Sequence, residues 1–362
     1  MAITHKRNCC FAAGIAGLMV FHHFSLWFLI SVKHNIAWAD ILDNWDAGWY
    51  NQIISNGYTD QSRAFYPLYP FLIETFYSIT GTPPQFLGAF ISLLLFATFI
   101  YLVGKFTLPG KPNSLLAPAT SMGWFLFIYS PGSFVFHSHH TEALFLLLSF
   151  GAFFLCTKKQ FYTAAVVGGI CALTRNQGIL VSFTVGIWAA QSVFQQNNKS
   201  KSIVSFLNVG IISGGIFSIF LLYQWFETGN FFYFLGAQSN WAHIDSPHQW
   251  FATLWFGNDW QNTNTGSILH HIWFFVMLLA AFLLWKKNKP LGIYGFLSLF
   301  VMTFQGELTN SFRFSVVIFP VLFALGDWLS KRPKIVRISV VIVLIALNHM
   351  VTRNYALHRW AY

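Results

Sequence analysis

Charged residues are scarce in this chain. Asp, Glu, Lys and Arg make up only 9% of its 362 residues, against 55% hydrophobic residues, and its mean hydropathy is +0.53. A soluble domain carries about 25% charged residues. The deficit, together with apolar runs of about 17–23 residues, excludes a soluble globular domain and predicts an all-α polytopic membrane protein.

Cysteine is also scarce, and its spacing excludes two common roles. Cys9, Cys10, Cys156 and Cys171 have neither the spacing of metal ligands nor the density of a disulfide framework. Cys9 and Cys10 abut the first apolar run, where acylation and plain apolar packing are both open interpretations. That run is too long for a signal peptide, so we expect a retained transmembrane helix.

The apolar runs predict about eleven transmembrane helices in a single membrane domain, residues 1–362. They lie near residues 10–32, 86–104, 115–131, 141–156, 160–174, 178–194, 203–226, 267–285, 290–306, 312–330 and 335–352. No nucleotide-phosphate loop, Rossmann fingerprint or internal repeat is evident in the sequence.

The connections between these runs differ in charge. When they are assigned alternately to two sides, most of the 21 Lys and Arg residues fall on one side. The positive-inside rule then places the N-terminus in the cytoplasm and the C-terminus outside. Every acid except Asp327 falls on or near the outer side, where residues 33–85 and 227–266 form the longest segments. The net charge of +10 is thus spread over short loops that suit anionic lipid, so we expect no nucleic-acid partner.

The first outer segment predicts a short helix on the membrane surface, over residues 44–56. Trp45, Trp49 and Ile53 recur at i, i+4 and i+8, so they form an apolar stripe that we expect to rest on lipid. Gly57 is expected to end the helix.

The carboxylates of this segment have two interpretations. Asp46 shares a helix face with Tyr50 and could deprotonate a sugar hydroxyl for attack on an activated anomeric carbon. Alternatively, Asp43 or Asn44 caps the helix and Asp46 is a solvated surface acid. The residues alone leave both open for Asp46, and they favour the cap for Asp43.

The first outer segment continues with Arg63 and three aromatic residues. Phe65, Tyr66 and Tyr69 predict an aromatic wall that suits a sugar face or a lipid chain. An aromatic belt at the membrane boundary explains the same composition equally well.

Two arginines fall at the ends of apolar runs. Arg175 and Arg313 are costly there and are expected to have partners. Their planar guanidinium groups suit a phosphate, while a salt bridge or a side chain reaching the headgroups is the plainer alternative.

Further candidates are polar residues on the outer side. His139, His140 and Glu142 stand at the mouth of a run, but no third metal ligand is identifiable, so we assign no metal. Hydrogen bonding to a substrate, or capping of a helix by Thr141 with Glu142 in its first turn, is the favoured alternative. Gln238 and Trp241 supply the amide and indole groups typical of a carbohydrate-binding surface.

Taken in order, these motifs resemble the family of the second glycosylphosphatidylinositol mannosyltransferase, known as PIG-V, and its prokaryotic relatives. The matching elements are WDAGWY followed by NGY, then AFYPLYP, HTEALFLLLS, LTRNQGILV, the segment from Gln238 to Trp241, and FRFSVVIFP. They extend from about residue 44 to 325.

The resemblance implies a GT-C fold and inverting transfer of a hexose, mannose in that family, on the non-cytoplasmic face. The donor is a polyprenyl-phosphate sugar, with Asp46 as general base, Arg175 and Arg313 at the departing phosphate, and Gln238 and Trp241 on substrate. Asp43, Trp45, Tyr50, Arg63, Tyr69, His140 and Glu142 complete the expected binding residues. No cofactor is assigned, a divalent metal stays open, and the acceptor is a glycolipid, glycan or protein.

Two differences between this chain and the family suggest in which membrane the protein lies. The chain has no large additional outer loop, and its one glycosylation sequon, Asn198-Lys199-Ser200, falls on the predicted cytoplasmic side. We therefore expect a prokaryotic plasma-membrane protein, with an endoplasmic-reticulum enzyme as the alternative.

Two other functions stay open. A transporter or flippase of a lipid-linked sugar would share the ligand chemistry, but transporters concentrate polar groups near the bilayer midplane on repeated helices. A non-catalytic membrane subunit would tolerate the loss of the Asp46 carboxylate.

Overall fold

The structure, a computed structural model, describes residues 2–106, 116–195, 199–239, 265–303, 308 and 310–359. These residues are helical, with no strand among them. The helices are α1 Ala2–His34, α2 Trp38–Leu42, α3 Asp46–Asn56, α4 Leu68–Thr80, α5 Pro84–Phe106, α6 Ser121–Ile128, α7 Glu142–Thr157, α8 Phe161–Ala172, α9 Gln177–Phe194, α10 Lys199–Thr228, α11 Tyr233–Gln238, α12 Thr265–Lys287, α13 Lys289–Met302, α14 Ser311–Ser315, α15 Phe319–Leu329 and α16 Lys334–Ala356.

Six of the described helices are long and apolar enough to cross a membrane, as a multi-pass protein requires. They are the apolar parts of α1, α5, α9, α10, α12 and α16. The shorter apolar helices α7, α8, α13 and α15 complete the apolar framework. In this framework α7, α8, α9 and α10 pack on one another in turn, α6 and α12 pack on α15, and α1 packs on α5, α6 and α16.

Two predicted spans are wrong as single helices. The run near residues 115–131 contains α6, which has only 8 residues, because Pro131 follows it and disfavours a helical conformation at Ser130. The run near residues 312–330 is divided into α14 and α15, with Pro320 in the first turn of α15. Proline lacks the N–H that a continuous helix would need there.

A buried, largely non-helical connection, residues 129–141, joins α6 to α7. Almost all of it is buried, including a 3₁₀ turn from Ser133 to Phe136. Irregular backbone within a membrane protein is tolerated where protein groups satisfy it. Asn348 of α16 does so, donating hydrogen bonds of 2.9 Å to the Ser130 carbonyl and the Ser133 hydroxyl.

Glycines allow this connection to approach its neighbours closely. A Cβ at Gly132 would lie 2.5 Å from the Phe312 carbonyl oxygen and 2.8 Å from the Arg313 Cα. A Cβ on Gly88 of α5 would overlap Nδ1 of the His139 imidazole. The backbone of Phe312 and Arg313 therefore packs directly on Gly132, which has no room for a side chain larger than hydrogen.

The first outer segment forms the short helices that the sequence predicts, but two details differ. The helix α3 begins at Asp46, ends at Gly57 as expected, and has Trp45 rather than Asp43 or Asn44 at its N-cap. The Asn44 amide instead donates a hydrogen bond of 2.7 Å to the Tyr355 carbonyl. The lipid-facing stripe is also wrong, because Ile53 is buried in the protein.

We predict that Gly132→Ala lowers the thermal unfolding midpoint of the protein purified in detergent. The added methyl group would press on backbone atoms that cannot move aside, and overpacking of this kind costs about 1–3 kcal/mol. The matched control is Gly210→Ala on α10, where a Cβ has open space. Equal midpoints for the two variants would contradict the close seating of Arg313.

Candidate functional site

Four charged side chains from distant parts of the chain meet in one cluster. Arg313 Nη2 lies 2.6 Å from Asp46 Oδ2, and Arg313 Nε donates a hydrogen bond of 2.6 Å to Glu142 Oε1. Arg175 Nη1 lies 2.8 Å from the same Glu142 oxygen, as an ion pair without hydrogen-bond alignment. We call Asp46, Glu142, Arg175 and Arg313 the ion-pair cluster.

The four side chains of the ion-pair cluster differ in how much of their surface is exposed. The side chain of Glu142 is fully buried and that of Arg313 is 4% exposed, whereas Arg175 is 11% and Asp46 27% exposed. Buried charges are stable only when they are paired, and the two carboxylates and two guanidinium groups balance formally. Asp46 is therefore the member of the cluster that solvent or a ligand reaches most readily.

Aromatic rings fix the two arginines. The Phe314 ring contacts both, with its centroid 5.1 Å from the Arg175 guanidinium carbon and 5.6 Å from that of Arg313. Phe145 lies 5.7 Å from Arg175. Cations over ring faces are attracted by the ring quadrupole, so each guanidinium has a defined place besides its ion pair.

Local structure brings each member to the cluster. Glu142 is in the first turn of α7, where the positive end of the helix dipole favours a carboxylate. Arg175 stands in the turn between α8 and α9, and Gln177 Nε2 donates a long hydrogen bond of 3.5 Å to the Phe314 carbonyl. That bond ties the Arg175 turn to α14, which carries Arg313.

Asp46 follows a strained residue. Trp45 has a φ of +57°, a region that non-glycine residues rarely adopt and that is found most often at functional sites. This backbone lets the chain turn at once from the anchored Asn44 into α3. It places Asp46 in the first turn of α3, beside Arg313.

Several predicted site residues lie buried around the cluster rather than on an open surface. The Tyr69 hydroxyl is 3.0 Å from His139 Nδ1, and Tyr50 packs edge-on against Tyr69 at 5.1 Å between ring centroids. His140 bonds the Ser138 hydroxyl at 2.8 Å. Because these side chains have almost no exposed surface, they support the cluster from behind.

The predicted aromatic wall is therefore not an exposed feature. Tyr66 and Tyr69 are both buried, and Tyr66 packs on Phe220 and Phe234. The rings of Tyr66, Phe220 and Phe234 join the segment of residues 33–85 to the helices α10 and α11.

The remaining candidates are spread along the same outer segments. Gln238 exchanges long hydrogen bonds of 3.4 and 3.5 Å with Asn176, the neighbour of Arg175. Asp43 is exposed and accepts a hydrogen bond from the Asn51 amide. Trp241 lies outside the described residues.

Arg63 forms a separate contact. Its Nη2 lies 3.4 Å from Glu227 at the end of α10, so its ionic partner is not a member of the ion-pair cluster. Sequence reasoning grouped Arg63 with the site because of its position in the first outer segment.

Sequence reasoning named all four members of the cluster but missed the residues that arrange them. Phe314 and Gly132 carry no chemistry of their own, and only their places next to Arg313 and in the buried connection give them importance. Asn348 had a usable signal, as a polar residue within an apolar span. In the described residues no three His, Cys, Asp or Glu side chains are grouped as metal ligands.

Comparisons of this chain with models of known protein families, with curated proteins and with solved structures found no match.

We predict that Glu142→Gln lowers the free energy of unfolding by about 3–5 kcal/mol, because it leaves two buried guanidinium groups without their shared carboxylate. The measurement is denaturant unfolding of the purified protein in detergent. The control Glu74→Gln removes an exposed carboxylate and should change stability by less than about 1 kcal/mol. A Glu142→Gln variant as stable as this control would contradict the cluster.

Proposed function

We propose that this protein is a membrane glycosyltransferase of the GT-C type. It moves a hexose, mannose by the motif resemblance, from a polyprenyl-phosphate donor to an acceptor on the non-cytoplasmic face. The observation that carries the proposal is the ion-pair cluster, in which a partly exposed carboxylate lies beside two arginines held in place by a buried glutamate. A base and a phosphate-binding pair are the groups that such a transfer needs.

Asp46 is the general base of this proposal. Its carboxylate takes the proton of the acceptor hydroxyl while the hydroxyl oxygen attacks the anomeric carbon of the sugar. The bond between the anomeric carbon and the phosphate oxygen breaks, and the electron pair leaves with polyprenyl phosphate. Attack from the face opposite the phosphate inverts the configuration at that carbon.

The arginines receive the departing phosphate. Arg175 is the more exposed of the two, and its Nη1 is paired with Glu142 without hydrogen-bond alignment, so the N–H groups at the edge of its guanidinium can turn to an incoming oxyanion. Charge that develops on the leaving oxygen is stabilised by donors that are already in position. Glu142 acts as a positioning residue, since it is buried behind both arginines.

The surroundings of the cluster fit a lipid-linked donor. Tyr50, Tyr69 and His140 are placed behind it, and Gln238 lies next to the Arg175 turn.

The proposal includes the full GT-C arrangement of about eleven membrane helices and an N-terminus in the cytoplasm, as the basic loops predict. The acceptor class, a glycolipid, glycan or protein, is open to identification from the product.

The transporter alternative gains no support from the described residues. A transporter holds its substrate near the bilayer midplane on broken, repeated helices. Here Glu142 and Arg175 stand at the helix ends of α7 and α9. A non-catalytic role differs from the proposal in the effect of neutralising Asp46.

We predict that Asp46→Asn abolishes sugar transfer. Membranes containing the protein are supplied with radiolabelled polyprenyl-phosphate mannose, and label is followed into product. The variant keeps the Arg313–Glu142 bond, so it should fold and bind donor while lacking the base.

The matched control is Asp40→Asn, which neutralises an exposed acid on the neighbouring helix α2 and should transfer at the normal rate. Equal transfer by the Asp46 and Asp40 variants would remove Asp46 from the mechanism.

We predict that Arg175→Lys lowers kcat/KM for the donor by ~10-fold or more. Lysine keeps the charge but loses the planar, bidentate guanidinium that matches a phosphate. The control Arg353→Lys changes an exposed arginine near the end of α16 and should leave the donor kinetics unchanged. Normal donor kinetics in a folded Arg175→Lys variant would rule out the phosphate role.

A further inference from the structure

A second polar site lies at the other end of the helices that build the ion-pair cluster. It is a cavity of about 460 Å³ between the ends of α7, α9 and α12 and the starts of α8 and α13. Its polar lining contains four lysines and no acid; the lining residues are Cys156, Thr157, Lys159, Phe161, Trp188, Gln191, Ser192, Gln195, Trp285, Lys286, Lys287, Asn288, Lys289 and Pro290. We call it the basic cavity.

The two sites lie at opposite ends of α7 and α9. The helix α7 begins at Glu142 in the cluster and ends at Thr157 in the cavity, and α9 extends from Gln177 to the cavity residue Gln195 at its C-cap. Helices of these lengths measure roughly 24–27 Å, close to the ~30 Å of a bilayer hydrocarbon core. We therefore expect the basic cavity and the ion-pair cluster to lie toward opposite sides of the membrane.

The lining of the cavity suits the phosphate of a lipid headgroup. Gln191, Ser192 and Gln195 add amide and hydroxyl groups to the lysines, and a hydrogen-bonding lining of this charge favours an anion. Trp188 and Trp285 are the residue type that membrane proteins place at headgroup level. The size lies within the usual range for small-molecule sites, about 300–1,000 Å³.

Neighbouring acids do not neutralise the cavity. Asp327 lies within electrostatic reach of Lys287, but it does not line the cavity, and one carboxylate cannot offset four lysines. The Lys286 ammonium lies over the Phe282 ring at 4.6 Å.

We infer that the basic cavity binds the phosphate headgroup of an anionic lipid in the leaflet opposite the ion-pair cluster, the cytoplasmic leaflet by the charge of the loops. Basic cavities between membrane helices on that side are a known setting for such headgroups. The bound lipid would tie α7, α9, α12 and α13 together at this end. This inference does not depend on the catalytic proposal.

The competing explanation is that the lysines only offset the negative ends of the helix dipoles. The helices α7, α9 and α12 end at the cavity, and cations near such ends are favourable by themselves. In that case neutralising the lysines would lower stability equally in every lipid. Dependence on the headgroup distinguishes the two explanations.

The test measures the thermal unfolding midpoint of detergent-purified protein as short-chain phosphatidylglycerol or phosphatidylcholine is added. An apparent Kd follows from the concentration dependence. The cavity variant is Lys159→Gln/Lys289→Gln. The matched control is Lys331→Gln/Lys334→Gln, which removes the same charge from exposed residues just beyond α15, outside the lining.

We expect phosphatidylglycerol to stabilise the wild type and the control alike, and to bind the cavity variant ~10-fold or more weakly. Phosphatidylcholine should have little effect on any of the three. Equal weakening in cavity variant and control, or no preference for the anionic headgroup, would overturn the inference. Stabilisation by soluble pyrophosphate as strong as that by phosphatidylglycerol would overturn the lipid as the source of the phosphate.

Discussion

The structure of the site depends on one buried carboxylate. Glu142 has no exposed surface, and both Arg175 and Arg313 reach the same one of its oxygens. Because an arginine keeps its charge when it is buried, leaving either one unpaired at such depth would be costly, so the three elements that carry these residues must meet at one place. The start of α7, the turn before α9 and the short helix α14 are thereby fixed relative to one another. Gly132 and Phe314 then set how closely they approach.

This constraint has a functional consequence, because the cluster is closed on one side and open on the other. Arg313 is paired with both Glu142 and Asp46, and Asp46 is the most exposed of the four residues. A ligand that approaches from solvent can reach the Asp46 carboxylate, which lies directly beside the Arg313 guanidinium. In the proposed transfer, Asp46 takes the proton of the acceptor hydroxyl, and the two arginines bind the donor phosphate.

The helices that hold the cluster also give the molecule its polarity. The ion-pair cluster, with its two carboxylates, lies at one end of α7 and α9, and four lysines line the basic cavity at the other end. This arrangement agrees with the sequence-based expectation that basic residues gather on one side of the membrane. We propose that catalysis and lipid anchoring use the two ends of the same helices.

Much of the framework could be predicted from sequence, because long apolar runs have few alternatives to helices that cross a membrane. The cluster residues were identified singly for a related reason, since Asp46, Glu142, Arg175 and Arg313 are charges at the ends of apolar or aromatic segments. Their pairing was not predictable, because it depends on tertiary contacts between side chains on separate helices and turns, which no local pattern encodes. The helix cap failed likewise: the Asn44 side chain is taken by the Tyr355 carbonyl, a partner that no local pattern indicates. The run near residues 115–131 misled because hydropathy alone does not register Pro131, near which the chain stays buried but leaves the helix.

The most direct test of the central claim is an electron cryo-microscopy structure in lipid nanodiscs with a non-hydrolysable phosphonate analogue of polyprenyl-phosphate mannose. The account predicts the phosphonate within hydrogen-bond distance of Arg175 or Arg313, with the anomeric carbon facing the side from which Asp46 would activate an acceptor. A phosphonate bound elsewhere, with the ion pairs of Glu142 unchanged and Asp46 remote from the sugar, would contradict it.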